Sequence, residues 1–175
     1  MNEWIRKNRK IIIAAILLLA VVLVFFRLTR ADIQTDAATY SFRALHYFDY
    51  MDTTVRQTTP FQWYEEGAPF WINLSFHDAP PLAFIIQFVF FKIFGVSTLV
   101  TLLPFALAGF GSIVLLYFIG RKLYGETAGL LAAFILAISS YHIWASRVGY
   151  LEILVTFFIL LTIYLFFVTI LTFLF

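Results

Sequence analysis

Long runs of apolar residues without charge constrain this chain more than any other feature. The run Leu99–Ile119 contains no charged side chain and exceeds the roughly 18 residues that mark a bilayer-spanning helix. Hydrophobic residues make up 62% of the sequence and charged residues 13%, whereas a soluble domain is about 45–50% apolar and about 25% charged. The absence of cysteine excludes disulfides and thiolate metal sites. The sequence therefore predicts an all-α integral membrane protein with several spanning helices.

The N-terminal segment indicates the orientation of the chain. Four basic residues precede the first apolar run, Ile11–Phe26, and the positive-inside rule places such a segment in the cytoplasm. A cleaved secretory signal peptide is the alternative. The run is long for a signal peptide and no small-x-small cleavage site follows it, which favours an uncleaved anchor over about residues 11–28. The basic residues are Arg6, Lys7, Arg9 and Lys10.

A polar segment of about residues 30–81 separates the first apolar run from all the others. It holds seven of the ten acidic residues and two of the three histidines, and we expect it to form a large extracytoplasmic loop. Within this loop, residues 31–51 are typical of an amphipathic helix. Asp36, Tyr40 and Arg43 share one face of that helix, because residues three or four apart are neighbours on a helix surface.

The apolar run Leu82–Phe94 decides the topology. It has only about 13 residues, short of the roughly 20 that a span needs, and it contains Gln87 and Lys92. If it crossed the membrane, the later basic pair Arg121–Lys122 would lie outside, against the positive-inside rule. We therefore expect a juxtamembrane helix over residues 82–94. The remaining spans are then predicted over residues 99–119, 128–144 and 153–175, with a polar outer turn over residues 139–152.

Asp36 is the candidate catalytic residue. A positioned carboxylate can act as a general base that takes a proton from an attacking hydroxyl, or it can anchor a metal or a polar substrate. The alternative is a solvated acid or a helix cap. The spacing of the residues does not decide between these interpretations.

His77 and Asp78 precede two prolines that restrict the backbone where the juxtamembrane helix begins. A histidine and a carboxylate this close could bind a divalent metal, or a metal that is itself bound to phosphate. The alternative for Asp78 is a cap on the following helix.

Arg147 and Glu152 lie in the predicted outer turn. Arg147 could hold a phosphate through two parallel hydrogen bonds, and the alternative is an arginine at the membrane edge that pairs with Glu152. His142 is interpreted as a polar residue at the membrane interface.

Five short motifs occur in order between Asp36 and Glu152, and together they resemble one family. They are Asp36-Ala37-Ala38-Thr39-Tyr40, Asp78-Ala79-Pro80-Pro81-Leu82, Phe94-Gly95-Val96-Ser97, Gly120-Arg121-Lys122-Leu123-Tyr124-Gly125, and Ser146-Arg147 followed by Glu152. The pattern resembles the N-terminal part of a GT-C fold glycosyltransferase, of the family of protein O-mannosyltransferases and bacterial lipid A aminoarabinose transferases.

The resemblance implies transfer of a sugar from a polyprenyl-phosphate donor to an extracytoplasmic acceptor. It assigns Asp36 as the base on the acceptor and places Asp78 beside the donor phosphate, with a divalent metal as the expected cofactor. The residues expected to bind substrate are Tyr40, His77, Asp78, Arg147 and Glu152.

Three departures from the family pattern support a different interpretation. Ala37 stands where the family has a second acid, and Leu102 stands where it commonly has an arginine. The sequence stops at Phe175, within an apolar run, so we expect a fragment or an incomplete module, which is either inactive alone or completed by a partner membrane subunit. The alternative function is a non-catalytic module of the same fold that binds a lipid carrier or a partner subunit.

A small transporter subunit fits less well, because transporters place charges near the bilayer midplane and no predicted span holds an acid in its interior. The expected partners are therefore the lipid bilayer, a polyprenyl-phosphate-linked sugar and the partner subunit. Nucleic acid is not expected to bind.

Overall fold

The computed structural model describes residues 2–30, 33, 35–45 and 81–174, and the described residues are helical apart from short turns. The all-α prediction is therefore confirmed for this part of the chain. His77, Asp78 and most of the predicted outer loop lie outside the described residues. The helices are α1 (Asn2–Phe25), α2 (Thr35–Ala44), α3 (Pro81–Phe94), α4 (Thr98–Tyr124), α5 (Glu126–Ile138), α6 (Ser140–Val148) and α7 (Leu151–Leu174), and a 3₁₀ turn at Leu28–Arg30 follows α1.

Among the described residues, three helical stretches are each long and apolar enough to cross a membrane: Lys7–Arg30, Thr98–Tyr124 and Leu151–Thr169. The helix predicted over residues 82–94 is present as α3, a shorter apolar helix. Part of the helix predicted over residues 31–51 is present as the ten-residue α2. Residues 46–51 of that prediction lie outside the described part of the chain.

The predicted span over residues 128–144 is divided between two helices. Helices α5 and α6 are bent by 59° relative to each other, and the predicted polar turn over residues 139–152 contains the nine-residue α6. The cause is local, because the Ser139 Oγ accepts a hydrogen bond from the His142 backbone N–H, with an N–O distance of 3.5 Å. A serine in this position caps a new helix, so the backbone restarts there instead of continuing α5. The two helices together are apolar enough to form one broken span or a re-entrant loop, so the span over residues 128–144 stays a prediction.

Helix α4 forms the centre of the bundle and packs against all the other helices described. Its residues are buried along nearly its whole length, and Leu102, Phe105 and Ile113 have no exposed surface. A helix that is apolar on all sides belongs inside a bundle, which explains why this span occupies the core.

Helices α4 and α5 approach so closely that their backbones touch at two glycines. A Cβ atom on Gly129 would lie 2.5 Å from the Tyr117 carbonyl oxygen and 2.8 Å from the Arg121 nitrogen. On the facing helix, a Cβ on Gly120 would lie 3.0 Å from the Gly129 Cα. Small residues permit this kind of contact between membrane helices, so the α4–α5 hairpin depends on the two glycines.

We expect Gly129→Val to lower the free energy of unfolding by about 2 kcal/mol or more, because the added side chain must push two helix backbones apart. Thermal unfolding of the detergent-purified protein, followed by helical circular dichroism, measures this effect. Ala132→Val is the matched control, since Ala132 lies on the same helix and is only partly buried. Equal stability of the two variants would contradict the importance of the glycine contact.

Ion pairs bring the two basic segments to one end of the bundle. The Glu126 Oε2 lies 3.0 Å from Arg121 Nε and 3.9 Å from Arg9 Nη1, and the Tyr117 hydroxyl donates to Glu126 Oε1. The start of α1 therefore lies beside the α4–α5 turn. We call this the basic end. At the opposite end α1 finishes and α4 and α7 begin, and the predicted site residues Arg147 and Glu152 lie there.

Candidate functional site

The first turn of α2 lies directly on the turn between α6 and α7. A Cβ on Gly149 would lie 2.8 Å from the Ala37 Cβ and 3.3 Å from Leu102 Cδ2, and Ala37 has no exposed surface. Gly149 has a φ of +79°, which favours glycine and ends α6 with a left-handed residue. Two segments more than 100 residues apart in sequence thus contact each other at two small residues, Ala37 and Gly149.

Asp36 immediately precedes this contact, in the first turn of α2. Its backbone therefore lies beside the α6–α7 turn, which is flanked in sequence by Arg147 and Glu152. Ala37, which replaces the second acid of the resemblance, fills a position with no room for a longer side chain. The departure at residue 37 thus has a packing explanation.

Tyr40 connects α2 to the neighbouring helices. It is partly buried and packs against buried clusters that contain Phe105 and Ala145 on one side and Val100 on the other. Its ring centroid lies 5.8 Å from that of Phe84 on α3. The structure therefore places Tyr40 among α3, α4 and α6, and its predicted role in binding substrate stays a prediction.

Gln87 is a buried polar residue that joins three helices. Its side chain has no exposed surface, and its Nε2 donates to Ser41 Oγ on α2 and to the Thr101 carbonyl on α4, both at 3.2 Å. The Ser41 hydroxyl in turn donates to the Ala37 carbonyl at 2.7 Å. Because a buried amide is costly unless it is hydrogen-bonded, this network fixes α2 against α3 and α4. In the sequence, this network was indicated by one amide side chain, Gln87, within the apolar run Leu82–Phe94.

Arg147 binds the carbonyl end of α1. Its Nη1 donates to the carbonyls of Leu23, Val24 and Phe26, at 3.0, 3.3 and 2.8 Å, and its Nη2 donates to the Arg27 carbonyl at 3.3 Å. The last carbonyls of a helix have no partner within the helix and attract positive charge. The guanidinium therefore caps α1 and ties it to α6.

The predicted partners of Arg147 differ from those observed in the described residues. Glu152 lies in the first turn of α7 and is exposed. No ion pair joins it to Arg147 within the described part of the chain. His77 and Asp78 lie outside the described residues.

His142 is buried inside the bundle. It is 5% exposed, and its Nε2 lies 3.0 Å from the Gly109 carbonyl oxygen on α4. Ser146, one turn later, is fully buried, and a Cβ on Gly109 would collide with its Oγ. Gly109 thus lets α6 press against α4, and this close contact buries the histidine that the sequence suggested was interfacial.

An apolar groove of about 400 Å³ runs between α3 and α7. It begins at Leu82 and Leu151 and follows α7 to Ile163. Leu151 directly precedes Glu152, and Leu82 follows Asp78 by four positions. The groove therefore starts at the end of the bundle that carries the candidate residues and extends along an exposed face of α7.

No group of three or more histidine, aspartate or glutamate side chains that could hold a metal occurs among the residues described. The prediction of a divalent metal at Asp78 is not tested, because that residue lies outside them.

Comparison with known proteins identifies relatives of one class. The family model described as "Dolichyl-phosphate-mannose-protein mannosyltransferase" matches residues 78–172. The protein named "Putative mannosyltransferase YkcB" of Bacillus subtilis (strain 168) is 36% identical over 90 residues, which is 51% of this chain and 13% of that protein. "Putative mannosyltransferase YycA" of the same organism is 37% identical over 84 residues, which is 48% of this chain and 12% of that protein. The matched segments thus cover about one eighth of these curated relatives, and no solved structure matches significantly.

Proposed function

Because this chain belongs to the dolichyl-phosphate-mannose-protein mannosyltransferase family, we propose that it acts as a membrane glycosyltransferase. The proposed reaction moves a sugar from a polyprenyl-phosphate donor to an acceptor on the extracytoplasmic side. The contact of Ala37 with Gly149 is the structural observation that carries the proposal. It holds the turn that contains Asp36 against the α6–α7 turn, which lies within the family-matched segment.

In the proposed reaction, the Asp36 carboxylate accepts the proton of the acceptor hydroxyl while the hydroxyl oxygen attacks C1 of the sugar. The bond between C1 and the phosphate oxygen breaks, and polyprenyl phosphate leaves with the bonding electrons. A phosphate monoester is a good leaving group, so a single positioned base can supply much of the catalysis.

The groove between α3 and α7 supports a lipid-linked donor. Its lining is apolar, with Leu154, Val155 and Phe158 among the residues that form it. A prenyl chain in this groove would keep its phosphate near Glu152 and the start of α3, close in sequence to Asp78. The sugar would then lie at the same end of the bundle as the first turn of α2.

We expect Ile159→Trp, which fills the groove, to raise the KM for a long-chain mannosyl donor about fivefold to tenfold. The reason is that the lost contact area is apolar. For a donor with a short prenyl chain, which ends before Ile159, the KM should not change. The assay is transfer of label from synthetic polyprenyl-phosphate-[³H]mannose in membranes that contain the full chain. Ile135→Trp, on the exposed surface of α5, is the control. An equal effect of Ile159→Trp on both donors would contradict a prenyl site in this groove.

The second candidate function is a non-catalytic module that binds the lipid carrier or a partner subunit. It is favoured by Arg147, whose guanidinium is engaged by the carbonyls of α1 rather than held open for a phosphate. The same assay separates the two functions. A folded, inserted chain that binds polyprenyl phosphate but transfers no label would support the module and overturn the enzyme.

A further inference from the structure

A second groove lies at the basic end of the bundle, between α1 and α4, and none of the proposed transferase residues belongs to it. Its volume is about 320 Å³. Its inner part is apolar and is formed by Ile13 and Leu17 on α1 and Val114 on α4, while Arg9, Lys10 and Arg121 lie at its mouth. A phospholipid has a phosphate headgroup and apolar acyl chains. Basic side chains at one end of the groove suit the headgroup, and the apolar lining suits an acyl chain.

The mouth of this groove keeps a net positive charge. Glu126 is the carboxylate that pairs with it, at 3.0 Å from Arg121 Nε and 3.9 Å from Arg9 Nη1. Three cations and one carboxylate leave a formal charge of about +2 at this point. The side chains of Arg9 and Arg121 are 44% and 43% exposed, and Lys10 is exposed as well. These cations are therefore accessible to an anion from outside.

Glu126 also positions one of the cations. It is held by the Tyr117 hydroxyl on α4 and contacts Arg121 through Nε at 3.0 Å, and the Tyr117 side chain also interacts with Arg121. Arginine binds phosphate oxygens through two parallel N–H groups. The arrangement thus presents an oriented guanidinium at the point where the apolar groove opens.

We propose that this groove binds an anionic phospholipid of the leaflet at the basic end of the bundle. The phosphate and the second anionic or hydroxyl-bearing part of the headgroup lie among Arg9, Lys10 and Arg121. One acyl chain follows the groove past Ile13 and Val114. Charge complementarity selects an anionic lipid over a zwitterionic one, because the trimethylammonium group of phosphatidylcholine would meet the same cations. The site lies at the opposite end of the bundle from Asp36 and does not depend on the transferase proposal.

The test is native mass spectrometry of the detergent-purified full chain, titrated with phosphatidylglycerol or phosphatidylcholine of identical acyl chains. We expect phosphatidylglycerol to bind several-fold more tightly. Each basic residue near an anionic headgroup contributes a few-fold in affinity, so Arg9→Gln/Lys10→Gln should weaken phosphatidylglycerol binding by roughly tenfold or more. This variant leaves the Arg121–Glu126 pair intact. Lys7→Gln/Lys122→Gln is the control, because it removes the same charge from exposed residues outside the groove.

A second variant tests the apolar part. Val114→Trp fills the groove without changing the charge, and it should weaken phosphatidylglycerol binding to a similar degree. Glycerol phosphate, which has the headgroup but no chain, should not compete. An equal loss in the Lys7/Lys122 control, or effective competition by glycerol phosphate, would overturn the proposal in favour of a diffuse surface charge or a phosphate site. If Val114→Trp unfolds in a thermal assay, the paired charge variants and the competition decide the question.

Discussion

Asp36→Asn is expected to reduce sugar transfer by about 10²- to 10⁴-fold while the protein remains folded and inserted. A neutral amide has nearly the shape of the carboxylate but cannot take a proton from the acceptor hydroxyl, and general base catalysis contributes a factor of this size. Asp36 lies in the turn of α2 that contacts Gly149, and the expected loss depends on the proposal that it acts as the base there. The measurement is the initial rate of label transfer from polyprenyl-phosphate-[³H]mannose at saturating donor.

The choice of asparagine separates the two interpretations of this residue. Asp36 is the second residue of α2, where a carboxylate stabilises a helix through the helix dipole by about 0.3–1 kcal/mol. If that is its only role, Asp36→Asn and Asp36→Ala should both transfer sugar normally and should be less stable by at most about 1 kcal/mol. If Asp36 is the base, both variants lose transfer. Asp49→Asn, which removes a carboxylate from the same polar segment, is the control and should keep normal activity.

Arg147→Met should lower the free energy of unfolding by about 2–4 kcal/mol, since hydrogen bonds from a charged donor are worth about 1.5–3 kcal/mol each and part of this site is open to water. The substitution keeps an apolar stem of similar length but leaves the carbonyls of Leu23, Val24 and Phe26 without their donor. Arg147→Lys should lose less, because it keeps the charge and a single donor group. Denaturant unfolding in mixed micelles measures both values.

A different result is expected if Arg147 binds the donor phosphate. In that case Arg147→Met would leave stability nearly unchanged and would raise the KM for the donor. The control is Arg30→Met, which removes an exposed arginine from the 3₁₀ turn after α1 and should change stability by less than about 0.5 kcal/mol. Equal losses of stability for the Arg30 and Arg147 variants would show that the four hydrogen bonds to carbonyls add nothing to the free energy of unfolding.

The apolar runs predicted the framework of the fold because burial and membrane insertion both depend on them. The residues of α4 are apolar on every side, and this helix is indeed the centre of the bundle. The break at Ser139 escaped prediction for a physical reason. Hydropathy measures the cost of placing residues in lipid, but it does not measure whether consecutive residues share one helix axis. The Ser139 cap on His142 was present in the sequence as a serine pair, and it was the only local sign.

Contacts between distant residues could not be predicted from one sequence. A polar residue such as Gln87 predicts that α3 lies near water. The side chain is buried instead, because Ser41 and Thr101, 46 and 14 residues away in sequence, accept hydrogen bonds from its Nε2. The sequence suggests that Arg147 binds a phosphate. Nothing in it indicates that main-chain carbonyls at the end of α1 surround the guanidinium.

The motifs predicted the family correctly, and the match over residues 78–172 confirms it. The structure describes only some of the predicted site residues. Tyr40, Arg147 and Glu152 have known places in the fold, Asp36 has a known place on α2, and His77 and Asp78 lie outside the described residues. Their chemical roles stay predictions until the variants above are measured.

The capping of α1 by Arg147 has a consequence for biosynthesis. The carbonyls it binds lie 120 to 124 residues earlier in the chain. At about 5–20 residues per second, the ribosome therefore makes Arg147 on the order of ten seconds after the end of α1. During that interval water must solvate these carbonyls, because hydrocarbon offers them no donor. The nascent first helix must therefore keep its last turn at the wet edge of the bilayer, and α6 replaces that water only when it arrives.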